Sequence, residues 1–250
     1  MKNYFIIFVL LFLGNFVSAQ GSDEREVDSR TLMILNNIQY SPNRNSPILQ
    51  FDNRYIEIQG SPFVMEDWKK GSIILDKGEK VLKGIFIMYN AYENEIWVKL
   101  DKQDPILLDN SLIKGFVINN DKEKHIFVKE DVKKYKAMFF EVFSDGKVTV
   151  LKKPHVNLFK SDNSSGYQMA KSQHFKASPK YFIKKGKGEF QLFKRRSKYL
   201  TKQFPKLKSK IKKHIKKEKI KLTKDEDLKK MMKWINDSLE KKQKDKAVKK

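Results

Sequence analysis

The sequence predicts a mainly antiparallel β protein with two or three C-terminal α-helices, an α+β fold overall. Three observations lead to this prediction. Short runs rich in Ile, Val, Phe and Tyr recur between residues 31 and 193 with the two-residue period of strands. Glycine-containing turns separate several of them, and no helical pattern of 10 to 15 residues intervenes, so parallel crossovers are not expected. After residue 194 the apolar spacing changes to the three or four residues of a helix.

The first nineteen residues have the pattern of a secretory signal peptide. Lys2 precedes an apolar run over residues 5–13, and Val17-Ser18-Ala19 supplies the small residues that a signal peptidase recognises. We expect cleavage near Ala19, and therefore a mature protein in the periplasm or at the cell surface. The run is shorter than the roughly 20 residues of a transmembrane helix, and no second run follows, so we expect no membrane span in the mature chain.

The body of the chain is predicted to consist of strands. Residues 20–30 are polar and unpatterned, which indicates a flexible lead. An antiparallel β domain is expected over residues 31–193, arranged as a sandwich, a roll or a partly open barrel. The predicted strands are 32–35, 54–58, 72–75, 81–89, 95–100, 112–118, 125–129, 137–143 and 148–151. Residues 161–180 are expected to form a long surface loop before a last hairpin over 181–193.

Three turns have a clear mechanism. Asp76-Lys77-Gly78, Asp145-Gly146 and Lys185-Gly186-Lys187-Gly188 each place a glycine where a hairpin requires a positive φ angle. Antiparallel pairing of the flanking strands follows.

The region 194–240 is predicted to be a basic amphipathic helical end. Its first apolar stripe is Leu200, Phe204, Leu207, Ile211 and Ile215, and Pro205 must kink this helix or begin a new one. A second helix has a capping-box pattern at Thr223 and Glu226, followed by the apolar face Leu228, Met231, Met232, Ile235 and Leu239. Residues 241–250 are expected to be a disordered, lysine-rich end.

Positive charge is concentrated at this end. Residues 181–250 hold 27 Lys plus Arg against 8 Asp plus Glu, a net charge of +19 out of +23 for the whole chain. Between residues 206 and 217, about six like-charge neighbours cost roughly 1–3 kcal/mol in total. Burial of one apolar side chain of the stripe returns roughly 1.5–3 kcal/mol, so we expect docked helices with lysine on the outside.

The charge pattern predicts an anion-binding surface. Lysine outnumbers arginine, which favours diffuse attraction over bidentate recognition. The expected partners are anionic lipid, lipopolysaccharide, an anionic glycan or an envelope protein, whereas nucleic acid is not expected in an exported setting. The candidate residues are Lys194, Arg195, Arg196, Lys198, Lys206, Lys210, Lys213 and Lys217.

Motifs for catalysis or cofactor binding are not found. The chain has no cysteine, its four histidines lie far apart, and it contains neither a glycine-flanked serine nor a glycine-rich phosphate loop. We therefore predict no catalytic residue, no metal and no cofactor. An alternative is a carbohydrate-active hydrolase that uses Glu93 or Glu95 together with a nearby acidic residue. Both glutamates stand near the aromatic residues Tyr92 and Trp97.

The stretches Gly60-Ser61-Pro62-Phe63 and Tyr89-Asn90-Ala91-Tyr92-Glu93-Asn94-Glu95-Ile96 resemble those of uncharacterised exported proteins of Bacteroidota-type bacteria. The resemblance extends over most of residues 50–240 and includes Phe139-Phe140-Glu141-Val142 and the lysine-rich helical end. It implies an envelope location and a shared fold, without a mechanism. We expect Tyr89-Asn90-Ala91-Tyr92 to close a strand into a turn, with Asn90 tolerating an unusual backbone angle.

The leading hypothesis is thus an exported, non-catalytic β-rich envelope module whose cationic helical end holds an anionic partner. The hydrolase and an accessory subunit of an outer-membrane protein assembly stay open as alternatives.

Overall fold

The computed structural model describes residues 29–39, 55, 57–76, 81–100, 104–120, 123–161 and 172–247, with side chains up to residue 241 except at 29, 30, 32, 161 and 172. The predicted signal peptide, most of the predicted lead and the Lys77-Gly78 part of the first turn lie outside these residues. In chain order the elements are α1 (Ser29–Ile38), β1 (Lys69–Leu75), β2 (Val81–Asn90), β3 (Glu95–Lys99), β4 (Ile106–Leu107), β5 (Ile113–Asn119), β6 (Lys124–Val132), β7 (Tyr135–Ser144), β8 (Val148–Lys153), β9 (Val156–Ser161), β10 (Ser172–Ala177), β11 (Lys180–Lys185), β12 (Gln191–Leu192), α2 (Ser197–Gln203), α3 (Lys208–Lys217) and α4 (Asp225–Ala247). Two 3₁₀ helices cover Asn110–Leu112 and Pro205–Leu207.

Of the twelve strands in the described residues, ten belong to one sheet, in the order β12-β11-β8-β7-β6-β5-β1-β2-β3-β4, and β9 pairs with β10 in a separate two-stranded sheet. The strand pairs whose register is defined are antiparallel. Examples are β5 with β6, where Phe116 lies opposite Phe127, and β8 with β11, where Val150 lies opposite Ile183. The predicted fold class, mainly antiparallel β with C-terminal helices, is confirmed.

The chain divides into two compact units, and the boundary falls within β7 after Glu141. The first unit contains Ala19–Glu141 and Pro154–Pro179. Its core has an aromatic centre: the rings of Phe116 and Phe127 stack with centroids 4.5 Å apart, and the Tyr89 ring meets both edge-on. Leu35 and Ile38 of α1 pack into the same core. Aromatic pairs add about 0.5–1.5 kcal/mol each beyond the burial of their area, so this centre stabilises the unit.

The second unit includes Val142–Lys153 and Lys180–Lys250. Its core joins the apolar side chains of β8 and β11 to the apolar stripes of the three C-terminal helices. The strand residues are Val148, Val150, Tyr181 and Ile183, and the helical residues include Leu200, Ile211, Leu228, Met231, Met232 and Ile235. The helical region is therefore packed and not an independent tail.

Pro205 ends one helix and begins the next turn. Helix α2 stops at Gln203, Pro205 occupies the first position of the 3₁₀ helix, and α3 starts at Lys208. The predicted break at Pro205 is confirmed, because proline has no N–H for an intrahelical bond and fits the first helical position. Among the described residues, no helix combines the length and apolar character that crossing a bilayer requires.

Four secondary-structure predictions are wrong. Residues 32–35 lie in α1, so the predicted β domain begins with a helix, and Ser29 and Arg30 of the predicted lead belong to it as well. The described part of 54–58 consists of turns and a bend. Residues 172–177 of the predicted surface loop form β10. Helix α4 continues to Ala247 through most of the end predicted to be disordered.

Each error has a physical source. The run at 32–35 is too short for periodicity to separate strand from helix. In α1 the buried residues Leu35 and Ile38 are three positions apart, as on one helix face. Strand β10 pairs along its whole length with β9, and Gln59 bonds to the backbone of Gln173 and Phe175. These non-local bonds fix an extended conformation that the local composition does not indicate.

Candidate anion-binding surface

Among the helices and strands of the described residues, α3 has the highest proportion of basic side chains. Its ten residues include six lysines and no acidic side chain. The helix ends with Lys219 at φ 50° while the Ile220 N–H donates to the Ile215 carbonyl at 3.0 Å, the pattern of a Schellman cap. Ile215 and Ile220 both pack against the core of the second unit, so this cap fixes the end of α3 in place.

The apolar side of α3 is buried and the lysine side is exposed. Ile211 is fully buried and Leu207 in the preceding turn is 2% exposed. The predicted candidates Lys206, Lys210, Lys213 and Lys217 all have exposed side chains. Positions 210, 213 and 217 point within about 60° of one another around the helix and span roughly 10 Å along its axis. The structure therefore brings Lys210, Lys213 and Lys217 together on one side of α3, and Lys206 is exposed in the 3₁₀ turn just before this helix.

Three further lysines of α3 were missed by the sequence interpretation. Lys208, Lys212 and Lys216 are also exposed. The signal was present, because only Ile211 and Ile215 are apolar in this helix, and so narrow a stripe leaves most of the circumference in water. We define the cationic surface as Lys206, Lys208, Lys210, Lys212, Lys213, Lys216 and Lys217.

The candidates before and at the start of α2 have different environments. Lys194, Arg196 and Lys198 are exposed around the start of the helix. Arg195, in contrast, is 17% exposed, and its Nη1 lies 2.8 Å from Asp225 Oδ1. The same nitrogen donates to the Tyr181 hydroxyl at 2.6 Å, and Nε donates to the Leu222 carbonyl at 2.8 Å. The guanidinium also lies over the Tyr181 ring, 4.4 Å from its centroid. Arg195 therefore joins the start of α4 to β11.

Asp225 is the common acceptor of this cluster. It accepts hydrogen bonds from Lys152 Nζ at 2.9 Å and from the Tyr181 hydroxyl at 2.7 Å. Burial by itself raises the pKa of the Asp225 carboxyl, but the hydrogen bonds from Lys152 and Tyr181 and the charges of Lys152 and Arg195 outweigh it. The pKa of Asp225 therefore lies below its ordinary value. Asp225 is the first residue of α4, where the helix dipole also favours a negative charge.

Glu218 and Asp227 are two acidic residues close to this lysine-rich region. Lys217 Nζ lies 3.7 Å from Glu218 Oε1, and both side chains are about half exposed or more. Such an exposed pair is worth at most about 1 kcal/mol. Asp227 accepts a hydrogen bond from the backbone N–H of Lys221 at 2.8 Å. An array of hydrated ammonium groups of this kind attracts anions by long-range charge.

The alternative carboxylates Glu93 and Glu95 flank a tight turn. Asn90 Oδ1 accepts from the backbone N–H groups of Tyr92 and Glu93, and Asn94 adopts φ 60°. The predicted turn after Tyr89 is confirmed, although the positive φ angle is at Asn94 and not at Asn90. Glu95 Oε2 accepts from the Trp97 indole at 3.1 Å, and Glu93 is exposed. The observed bonds of this stretch shape the hairpin between β2 and β3.

The histidines have separate partners. His125 Nδ1 lies 2.7 Å from Glu141 Oε1, the His174 ring stacks on Phe159, and the His214 ring stacks on Trp234. The described part of the chain has no group of three or more His, Asp or Glu side chains arranged to hold a metal ion.

Comparison of the chain with protein-family models, with curated proteins and with solved structures found no match in any of the three.

Proposed function

We propose that this protein is an exported, non-catalytic β-rich envelope module whose cationic surface holds an anionic component of the envelope. The observation that supports the proposal best is α3 itself, whose six lysines lie at the surface while its apolar stripe is buried in the core of the second unit. Export rests on the leader pattern of residues 1–19, and the resemblance to exported Bacteroidota-type proteins supports the same location.

The cost of this arrangement favours a functional role. Like-charged lysines at i+3 and i+4 destabilise a helix by roughly 0.2–0.5 kcal/mol per pair. Lys212–Lys216 and Lys213–Lys217 are two such pairs within α3, and an ordinary surface helix would relieve them with interspersed acidic residues. When an anionic partner binds, its charges neutralise the lysines and the counterions of both surfaces are released into solution.

Binding measurements test the proposal. We expect the full chain to bind lipopolysaccharide or anionic vesicles at about 50 mM salt and to release them at about 500 mM, because the screening length falls with salt. Neutral phosphatidylcholine vesicles serve as the control and should bind weakly at both concentrations. An affinity for the anionic partners that is unchanged by salt would count against the proposal.

The envelope location has its own test. Mass spectrometry of the protein from fractionated cells should find a mature N-terminus at or near Gln20 in the envelope or medium. Recovery of the intact chain with Met1 in the cytoplasm would refute the location.

A further inference from the structure

The apolar residues of α3 are already used inside the protein. Ile211 packs in the core of the second unit with Leu228, Met231 and Met232 of α4, and Ile215 is partly buried against the same core. A helix that inserts into a bilayer must place its apolar face among the acyl chains. Helix α3 has no second apolar face, since all its remaining positions are lysine, serine or histidine. Contact between α3 and a membrane is therefore restricted to the headgroup level.

The side chains of the cationic surface fit the mobile headgroups of anionic lipids better than a polymer. All seven members are lysines, flexible point charges that do not form the bidentate pairs by which arginine recognises phosphate or sulfate groups. Helix α3 contains no Phe, Tyr or Trp for stacking on bases, and the ring of His214 is stacked on Trp234, with centroids 4.4 Å apart. Attraction to a plane of anionic lipids requires neither bidentate pairs nor aromatic stacking.

We propose that the cationic surface docks on the headgroups of an anionic phospholipid bilayer, by charge alone and without insertion. This inference rests on the proposed function and names its partner. Lys210, Lys213 and Lys217 form the centre of the contact because they share one direction on α3.

The experiment compares two variants of the full chain with equal charge. The first carries Lys210→Gln, Lys213→Gln and Lys217→Gln. The matched control carries Lys124→Gln, Lys133→Gln and Lys136→Gln, three exposed lysines on or beside β6 and β7. Co-sedimentation with phosphatidylcholine vesicles that contain increasing phosphatidylglycerol gives the partition coefficient. Thermal unfolding of both variants verifies that they are folded. A third variant with Lys→Arg at the same three α3 positions keeps the positive charge and tests whether lysine itself is required.

We expect binding to rise steeply with the phosphatidylglycerol content. Each lysine near an anionic surface contributes about a fivefold factor, so the α3 variant should partition roughly a hundredfold more weakly than the natural chain. The control should change far less, and the arginine variant should retain binding. Salt of about 1 M, where the screening length is about 3 Å, should release the protein completely.

Other results overturn the inference in distinguishable ways. Equal losses in the two glutamine variants would mean attraction to the whole chain and not to α3, and loss of binding by the arginine variant would exclude binding by charge alone. Binding that survives about 1 M salt would indicate insertion. Binding to soluble polyphosphate or lipopolysaccharide, but not to phosphatidylglycerol vesicles, would refute the lipid partner while leaving the proposed function intact. Absence of binding to all three would refute both.

Discussion

Asn236 should be one of the most important polar residues for the stability of the second unit. It lies on α4 and is 8% exposed. Its Oδ1 accepts from the Val148 N–H at 2.8 Å, and its Nδ2 donates to the Val148 carbonyl at 3.1 Å. The same Nδ2 lies 3.1 Å from the Asp145 carbonyl and 3.2 Å from Ser144 Oγ. One side chain thus takes the place of a strand along the hairpin between β7 and β8.

We expect Asn236→Ala to lower the free energy of unfolding by about 2–4 kcal/mol. The substitution removes the partners of the N–H and carbonyl groups of Val148, and a buried group left without its partner costs about 1–3 kcal/mol. Water cannot replace the amide easily, because Val148 is fully buried. With a urea m-value of about 2–3 kcal/mol/M, the midpoint of unfolding should fall by roughly 1–2 M.

Urea denaturation followed by circular dichroism measures this effect. The neighbouring substitution Asp237→Ala is the control, because Asp237 is exposed on the same helix and should change stability by less than about 0.5 kcal/mol. An Asn236→Ala variant with stability within about 0.5 kcal/mol of the natural chain would refute the reasoning, since the amide would then contribute no net hydrogen bonding.

Three other substitutions make independent predictions. Lys153 is buried, and burial together with the charge of Lys180 lowers its pKa to about 8. Between pH 8 and 10.5 the Lys153 ammonium has lost its proton in the native state but keeps it in the unfolded state, so the free energy of unfolding should rise with pH. Lys153→Met removes the buried titratable group. In urea titrations this variant should be more stable at pH 7 and should show a smaller rise of stability with pH. The lowered pKa of Asp225 contributes stability that is present above the ordinary value of 3.8 and is lost as pH falls through the folded value. Asp225→Asn should therefore be less stable at pH 7 and lose less on acidification; equal acid sensitivity of the two proteins would contradict this. Lys219→Gly should raise the free energy of unfolding by about 0.5–1 kcal/mol, because glycine adopts φ 50° without steric cost. The melting temperature measures this effect, and a decrease would be inconsistent with the cap at the end of α3.

Short runs rich in Ile, Val, Phe and Tyr, separated by turn residues, predicted many of the strands of the large sheet. The predicted strands at 81–89 and 137–143 correspond to β2 and β7, and the Asp145-Gly146 turn closes the next hairpin with Gly146 at φ 130°. Alternation and glycine turns are local signals, so they can be read without knowledge of the partner strand. Residues 172–177 lack such a signal because their extended form depends on β9 and Gln59, which are distant in sequence.

Part of the candidate surface could also be predicted from local sequence signals. Lysines on the side of a helix opposite its apolar stripe are expected to stay in water, so charge and helical spacing predict the exposure of Lys210, Lys213 and Lys217, and Lys206 just before the helix is exposed as well. The pattern could not distinguish Arg195 from its neighbours Lys194 and Arg196. Arg195 is bound to Asp225, which lies 30 positions further along the chain, and only the packing of α4 brings the two together.

For this protein, the amino-acid sequence by itself determined the antiparallel β class, the helical end and the concentration of lysine at the surface of α3. These properties depend on the solvation of individual side chains and on their spacing over a few residues. Only the tertiary structure decided which polar groups serve the interior: Arg195 and Lys152 bound to Asp225, Lys153 buried, and Asn236 bonded to a hairpin 88 positions earlier. The physical reason is that burial and hydrogen-bond pairing are properties of residues brought together from distant parts of the chain.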